Sequence, residues 1–154
     1  MTVYALNAKQ HLHMKSDVAF QRAKSRGVWE MIAGFLTRRN PYLISLDSLI
    51  DEETATQGTY AGLVDISLDD ICGSVSRVHD FTRHFAPRFH HPSFQEGWRN
   101  VYTMTVSGLG LPPVELYQVG DCYFVQDGHT RISVARHLGW KTVQAQITRL
   151  PNSR

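Results

Sequence analysis

No stretch of this sequence approaches the ~20 consecutive apolar residues that span a bilayer. Met1 to Lys15 also lack the apolar core of a secretory signal. A membrane-spanning or exported chain is therefore not expected. Cysteine is scarce, with Cys72 and Cys122 the only two. That scarcity fits a reducing cytoplasm, and Cys122 reads as a small buried side chain alternating within a strand. An excess of one charge is missing too. A formal net charge of +2 is too small to hold nucleic acid by bulk electrostatics, although basic residues could still gather on one face. Internal repeats and low-complexity tracts are absent. What is present is a chain of 154 residues, 42% hydrophobic and 19% charged, the composition of one globular domain able to bury a core without staples.

The first strong element is a helix from about Ser16 to Arg38. Ser16 is placed to cap it, Asp17 suits its positive end, and Arg38-Arg39-Asn40-Pro41 stop it. Its apolar residues thicken toward the C-terminal half (Val28, Met31, Ile32, Phe35, Leu36), so that half is expected to dock on the body. A short helix over Leu46 to Glu53 and a turn-rich stretch from Thr54 to Gly62 follow. Leu63 to Ile66 reads as a strand, and Ser67-Leu68-Asp69-Asp70 has the capping-box spacing that opens a one-turn helix. Cys72 to His91, rich in glycine, serine, arginine and histidine, reads as a functional surface segment. A second capping box, Ser93 to Glu96, starts a helix with Phe94, Trp98, Val101, Tyr102 and Thr105 on one face, ended by Ser107-Gly108. Trp98 and Tyr102 are expected to be core or interface aromatics.

Leu111-Pro112-Pro113 leads into two β-rich segments, Val114 to Val119 and Cys122 to Gln126, joined by Gly120-Asp121 as a tight hairpin. A helix ended by Gly139 then precedes Thr142 to Thr148, which alternates so that Val143, Ala145 and Ile147 share a face. The expected fold is α/β or α+β: a small mixed sheet with surrounding helices.

Chemistry concentrates at Asp127-Gly128-His129-Thr130-Arg131, where a buried strand runs through one glycine into a helix. The first amides of such a helix have no intrachain partner, and its dipole adds roughly half a positive charge, so anions are favoured there. Glycine admits close approach to the backbone. Asp127 is suited to a metal ion and Arg131 to a phosphate oxygen. A purely structural reading stands beside this one: Asp127 caps the helix and Arg131 pairs with it.

These five residues with the following Ile132-Ser133-Val134-Ala135-Arg136 resemble the phosphate-binding motif of the ParB/sulfiredoxin superfamily. Asp65 to Ile71 resembles its opening strand and helix, and Val75-Ser76-Arg77 falls where ParB-like domains carry a nucleotide-contacting arginine. The likeness covers about Leu63 to Leu150. It implies a ParB/sulfiredoxin-like nucleotide-binding domain over 63–154, with 1–62 as an N-terminal helical extension packed into one unit. His129 stands where sulfiredoxins place their nucleophilic cysteine, so that chemistry is not expected. Only Arg131 matches the arginines with which partition ParB proteins handle CTP. The Asp-Gly-His-His-Arg stretch of the superfamily's free-serine kinases differs only at Thr130.

The resemblance therefore implies binding of ATP, ADP or CTP with Mg²⁺. Gly128, His129 and Thr130 would cradle phosphate, Arg77 and Arg131 would neutralise its charge, and Asp127 would hold the metal or a hydroxyl nucleophile. His129 would serve as general acid or base if its pKa lies near neutrality. The reaction expected is phosphoryl transfer to a small hydroxyl compound, or hydrolysis. A noncatalytic nucleotide sensor and a DNA-binding protein or nuclease are the alternatives. Nucleic acid is not favoured as a partner, no membrane is expected, and a homodimer is left open. Ser74 and Ser76 carry little weight, since serine is common in turns. His79, Asp80, His84, His90 and His91 have metal-ligand chemistry but no metal spacing, so solvated or capping roles are favoured.

Overall fold

A computed structural model describes residues 2–89 and 91–152. It is a mixed α/β structure: a six-stranded sheet in the order β1-β3-β5-β4-β6-β2 and four α-helices. In chain order the elements are α1 (Val3–Thr37), β1 (Ile44–Ser45), α2 (Glu52–Ala55), β2 (Thr59–Ser67), β3 (Ile71–Ser74), α3 (Pro92–Val106), β4 (Val114–Val119), β5 (Cys122–Asp127), α4 (His129–His137) and β6 (Thr142–Arg149). No helix among the described residues is long and apolar enough to cross a membrane.

The Gly120-Asp121 hairpin makes β4 and β5 antiparallel, with Val119 opposite Cys122. On its other side β5 runs parallel to β3, and β4 runs parallel to β6. β1 joins the edge beside β3, and β2 pairs antiparallel with β6 from Thr59 to Ser67. The sheet thus takes β1 and the start of β2 from before residue 63. Alternation along the strands separates two apolar layers. Val114, Leu116, Val125, Ala145 and Ile147 meet Ile132, Ala135, Phe81 and Phe85 on one side. Phe124, Cys72, Leu46, Ile50 and Leu150 form the other.

Several expectations are corrected. α1 begins at Val3, because residues 3–15 contain neither glycine nor proline and nothing interrupts the helix. Ser16 is no cap: it is buried mid-helix and its hydroxyl donates to the His13 carbonyl at 2.7 Å. The docked face of α1 is Ala19, Phe20, Ala23 and Gly27, against Trp98 and its neighbours and the 82–87 loop. Val28, Ile32, Phe35 and Leu36 face outward, so the apolar C-terminal half does not dock as its composition suggested. Leu46 to Glu53 divides into a 3₁₀ turn at Leu46–Ser48 and α2, where the Asp51 carboxylate accepts from the Thr54 amide.

The segment from Cys72 to His91 is not simply surface. It opens inside the fully buried β3 and contributes Phe81, Thr82 and Phe85, each with no exposed area. α3 starts at Pro92 with His91 as its N-cap, so Ser93 lies in the first turn; proline at the first helical position, with φ already set, fixes the start. The β3–β5 register brings Cys72 and Cys122 to a Cα separation of 5.6 Å, and they form a disulfide. Reading them as separate thiols is thus incorrect, and cysteine scarcity no longer speaks for a reducing compartment.

Candidate functional site

β5 ends at Asp127, Gly128 turns the chain, and α4 begins at His129. Gly128 sits at φ 104°, the left-handed region that favours glycine. A Cβ there would lie 2.6 Å from Val114 Cγ1. The residue is therefore glycine first for the turn and for packing on β4. Ile132 is the first residue of α4 whose amide bonds back into the turn, at 3.0 Å to the Gly128 carbonyl. Among the described residues, no protein group accepts from the amides of His129, Thr130 or Arg131.

Those amides open on a cleft of about 250 Å³ lined by Asp127, Gly128, His129, Thr130, Arg131 and Arg77, together with Ser76, Gln126 and Val101. The six residues singled out in the sequence thus meet in one cleft, across 50 residues of chain between Arg77 and Asp127. Gln126 and Val101 carried no sequence signal.

The two arginines are held differently. Arg131 donates through Nη1 to the carbonyls of Pro112 and Pro113 (2.8 Å to the latter) and through Nη2 to Asp127 Oδ2 at 2.6 Å. It locks the proline lead-in of β4 to the start of α4, so the pairing half of the structural reading holds; the capping half does not, because Gly128 is the N-cap of α4 and no side chain caps it. Arg77 binds Asp80 through Nε alone, at 2.6 Å, and its guanidinium carbon lies 5.2 Å from the ring centre of Phe81 and 5.7 Å from that of Phe94. Its two terminal nitrogens have no protein acceptor among the described residues. Of the two arginines in the cleft, Arg77 is the one with terminal nitrogens left for an anion.

His129 is 4% exposed and stacks on Phe81, with ring centres 6.2 Å apart. Its Nε2 lies 2.6 Å from Ser74 Oγ. Ser74, fully buried at the end of β3, also accepts from the amides of Ser76 (3.2 Å) and Arg77 (2.9 Å). With both lone pairs of its oxygen occupied, the hydroxyl must donate to Nε2. That assigns the imidazole proton to Nδ1. Burial, and then the charge of Arg77, push the His129 pKa from 6.5 down to about 4, against the opposing pull of Asp127 and Asp80. The condition set for an acid–base role, a pKa near neutrality, is not met: His129 is neutral, with its Nε2 lone pair engaged. Ser74, given little weight in the sequence, anchors both the imidazole and the Arg77 turn. Its only signal is the spacing of three residues to Arg77, that of a serine accepting from a turn amide.

Asp127 Oδ2 is committed to Arg131, and its side chain is 66% exposed. No group of three or more His, Cys, Asp or Glu able to hold a metal occurs among the described residues. The donor set fits a Mg²⁺ that arrives on phosphate oxygens and keeps its waters, and it does not fit a resident ion. The histidine-rich segment is otherwise engaged: His84 Nδ1 meets Glu30 at 2.8 Å, His91 Nδ1 meets Ser93 Oγ at 2.8 Å, and Asp80 pairs with Arg77. His90 lies outside the described residues.

No protein-family model matches the chain, and no curated protein matches it. Among solved structures it is similar to the crystal structure of sulfiredoxin from Arabidopsis thaliana. The similarity covers 56% of this chain and 84% of that one, at 16% identity and a TM-score of 0.42. The α/β architecture described above stands on its own strand order and registers.

Proposed function

We propose that the cleft at the start of α4 binds the phosphates of a nucleotide (ATP, ADP or CTP) with Mg²⁺ carried on them. The observation that supports this most is the convergence on one cleft of three unpartnered amides, those of His129, Thr130 and Arg131, with the free end of Arg77. Amides at a helix start aim partial positive charge at one point, and a guanidinium supplies a full charge with directed donors.

The reaction we propose is phosphoryl transfer to a small hydroxyl compound, or hydrolysis. Bound Mg²⁺ would screen the phosphate charge. The chain's own part is positioning and charge stabilisation: amides 129–131 and Arg77 hold the phosphoryl oxygens, and the second carboxylate oxygen of Asp127 orients the attacking hydroxyl. Neutral His129 contributes shape and a single N–H. A nucleotide-binding module without turnover is the second reading. What favours it is that Asp127 is tied to Arg131 and His129 Nε2 to Ser74, leaving one carboxylate oxygen as the only acid–base group of the pair still free.

Titration calorimetry with ATP, ADP and CTP, with and without Mg²⁺, tests the binding. Arg77→Ala should weaken it at least tenfold, whereas a signal unchanged by that substitution would remove Arg77 from the site. Product analysis separates the readings: released or transferred phosphate indicates an enzyme, and nucleotide intact after long incubation indicates a binding module.

A further inference from the structure

α1 has its large and small residues on the unexpected sides. The face turned to the domain is built from Ala19, Ala23, Gly27 and Gly34 around the single large Phe20. A Cβ on Gly27 would stand 2.7 Å from the Pro87 carbonyl oxygen, and one on Gly34 would stand 2.8 Å from Pro41 Cβ. The face turned away carries Val28, Trp29, Ile32, Phe35 and Leu36, which are 52%, 69%, 43%, 85% and 74% exposed. An ordinary surface helix shows the reverse. From Gly27 to Thr37 the sole charged residue is Glu30, and its carboxylate is turned to the domain, accepting from Thr82 Oγ1 (2.5 Å) and the His84 amide (3.0 Å). The outward patch is thus apolar and free of charge at its centre, the composition of an interface core.

We infer that this face is covered by a second copy of the same chain, through a two-fold contact of α1 with its counterpart crossing near Ile32. Three properties favour a copy over another occupant. The first is area: with aromatic side chains offering ~150–250 Å² each, the five residues present about 600 Å², so a symmetric pair removes about 1,200 Å², where stable interfaces begin. The second is self-complementarity, which a two-fold contact requires. Trp29 and Phe35 project, and on the far side of Phe35, which forms one wall, lies an open hollow lined by Met31, Gly34, Pro41 and Tyr42 with Arg38 and Arg39. The third is continuity. Val28, Ile32 and Phe35 extend through Ser25, Gln21, Val18 and Met14 in alternating steps of three and four residues, all exposed, the spacing of a helix–helix seam.

Arg38 and Arg39 line the hollow at one end of the patch, and the stretch from Gly27 to Thr37 offers them no outward acidic partner, so the charge at the contact is basic on both copies. The dimer should therefore tighten as salt screens the rim, whereas an acidic protein or an anionic membrane would be released by salt.

Sedimentation velocity of the full chain across the micromolar range, at low and high salt, tests the proposal. The expected species has twice 17.5 kDa, and its dissociation constant falls at least several-fold with salt. Phe35→Glu and Trp29→Lys should each yield the 17.5 kDa species with unchanged circular dichroism, and with an unchanged melting temperature at concentrations where the wild type is also dissociated, since both side chains are exposed in the single chain. A wild type that stays monomeric throughout overturns the proposal, whether or not it floats with phosphatidylglycerol vesicles. A dimer that survives both substitutions overturns it as well.

Discussion

Ser74 receives two amide hydrogens and gives its own proton to His129, so one buried hydroxyl fixes the Arg77 turn and the imidazole together. Ser74→Ala takes away the partner of the buried imidazole and of two part-buried amides and should cost about 1–3 kcal/mol of stability by urea denaturation. It should also weaken nucleotide binding, because Arg77 loses its anchor; full stability in the variant would mean that the network contributes little. His129 adds a pH dependence whose sign follows from its lowered pKa. The unfolded imidazole takes up a proton near pH 6.5, but the folded one resists until about pH 4. The stabilisation is therefore complete above pH 6.5 and is lost as the pH falls toward 4, by about 3 kcal/mol in total. Burial, and then Arg26 and Arg22, lower His137 in the same direction. Denaturation midpoints at pH 7.5 and 4.5 should differ less in His129→Gln than in wild type, and equal differences would show that His129 is not the group responsible.

At the level of elements, Gly27 sets propensity against packing. Alanine is favoured over glycine by ~1 kcal/mol in a helix interior, yet its methyl would press on the Pro87 carbonyl oxygen at 2.7 Å. Backbone cannot yield as a side-chain tip can, so Gly27→Ala should destabilise by about 1–3 kcal/mol in chemical denaturation; a stabilised variant would show that α1 does not rest on that loop. The elements most legible in the sequence were those with local signals. The hairpin at Gly120-Asp121, the strict alternation of β6 and the glycine between β5 and α4 need only neighbouring residues to be recognised. β3 was hidden, because four residues buried on both faces show no alternation, and Ile71-Cys72-Gly73-Ser74 has too little apolar length to announce a strand. The docking face of α1 was misread for a related reason. Hydrophobicity marked the large residues of its C-terminal half, whereas the contact with the domain is made by Phe20 set among glycines and alanines that let the backbones approach. At the site, the residues of the strand–turn–helix were visible, but the partners that define their states, Ser74 under His129 and the proline carbonyls on Arg131, come from distant chain and could only be seen once folded.

For the whole molecule, the disulfide ties β3 to β5 across a sequence separation of 50 residues that includes α3 and β4. Closing a loop of that size restricts the unfolded chain by about 4 kcal/mol in the chain-entropy view. Reduction, or Cys122→Ser, should lower the melting temperature by roughly 10 °C, and an unchanged melt would show that the cross-link adds no stability. The sheet and its link bring the start of α4 and the Arg77 turn to one cleft, and the proposed function depends on that cleft gripping phosphate. The most direct measurement is an amide nitrogen–proton NMR titration with ATP and Mg²⁺. The account predicts that His129, Thr130 and Arg131 show the largest amide shifts, with Arg77 next, saturating at one nucleotide per chain; saturating nucleotide that leaves those three amides unmoved would contradict it.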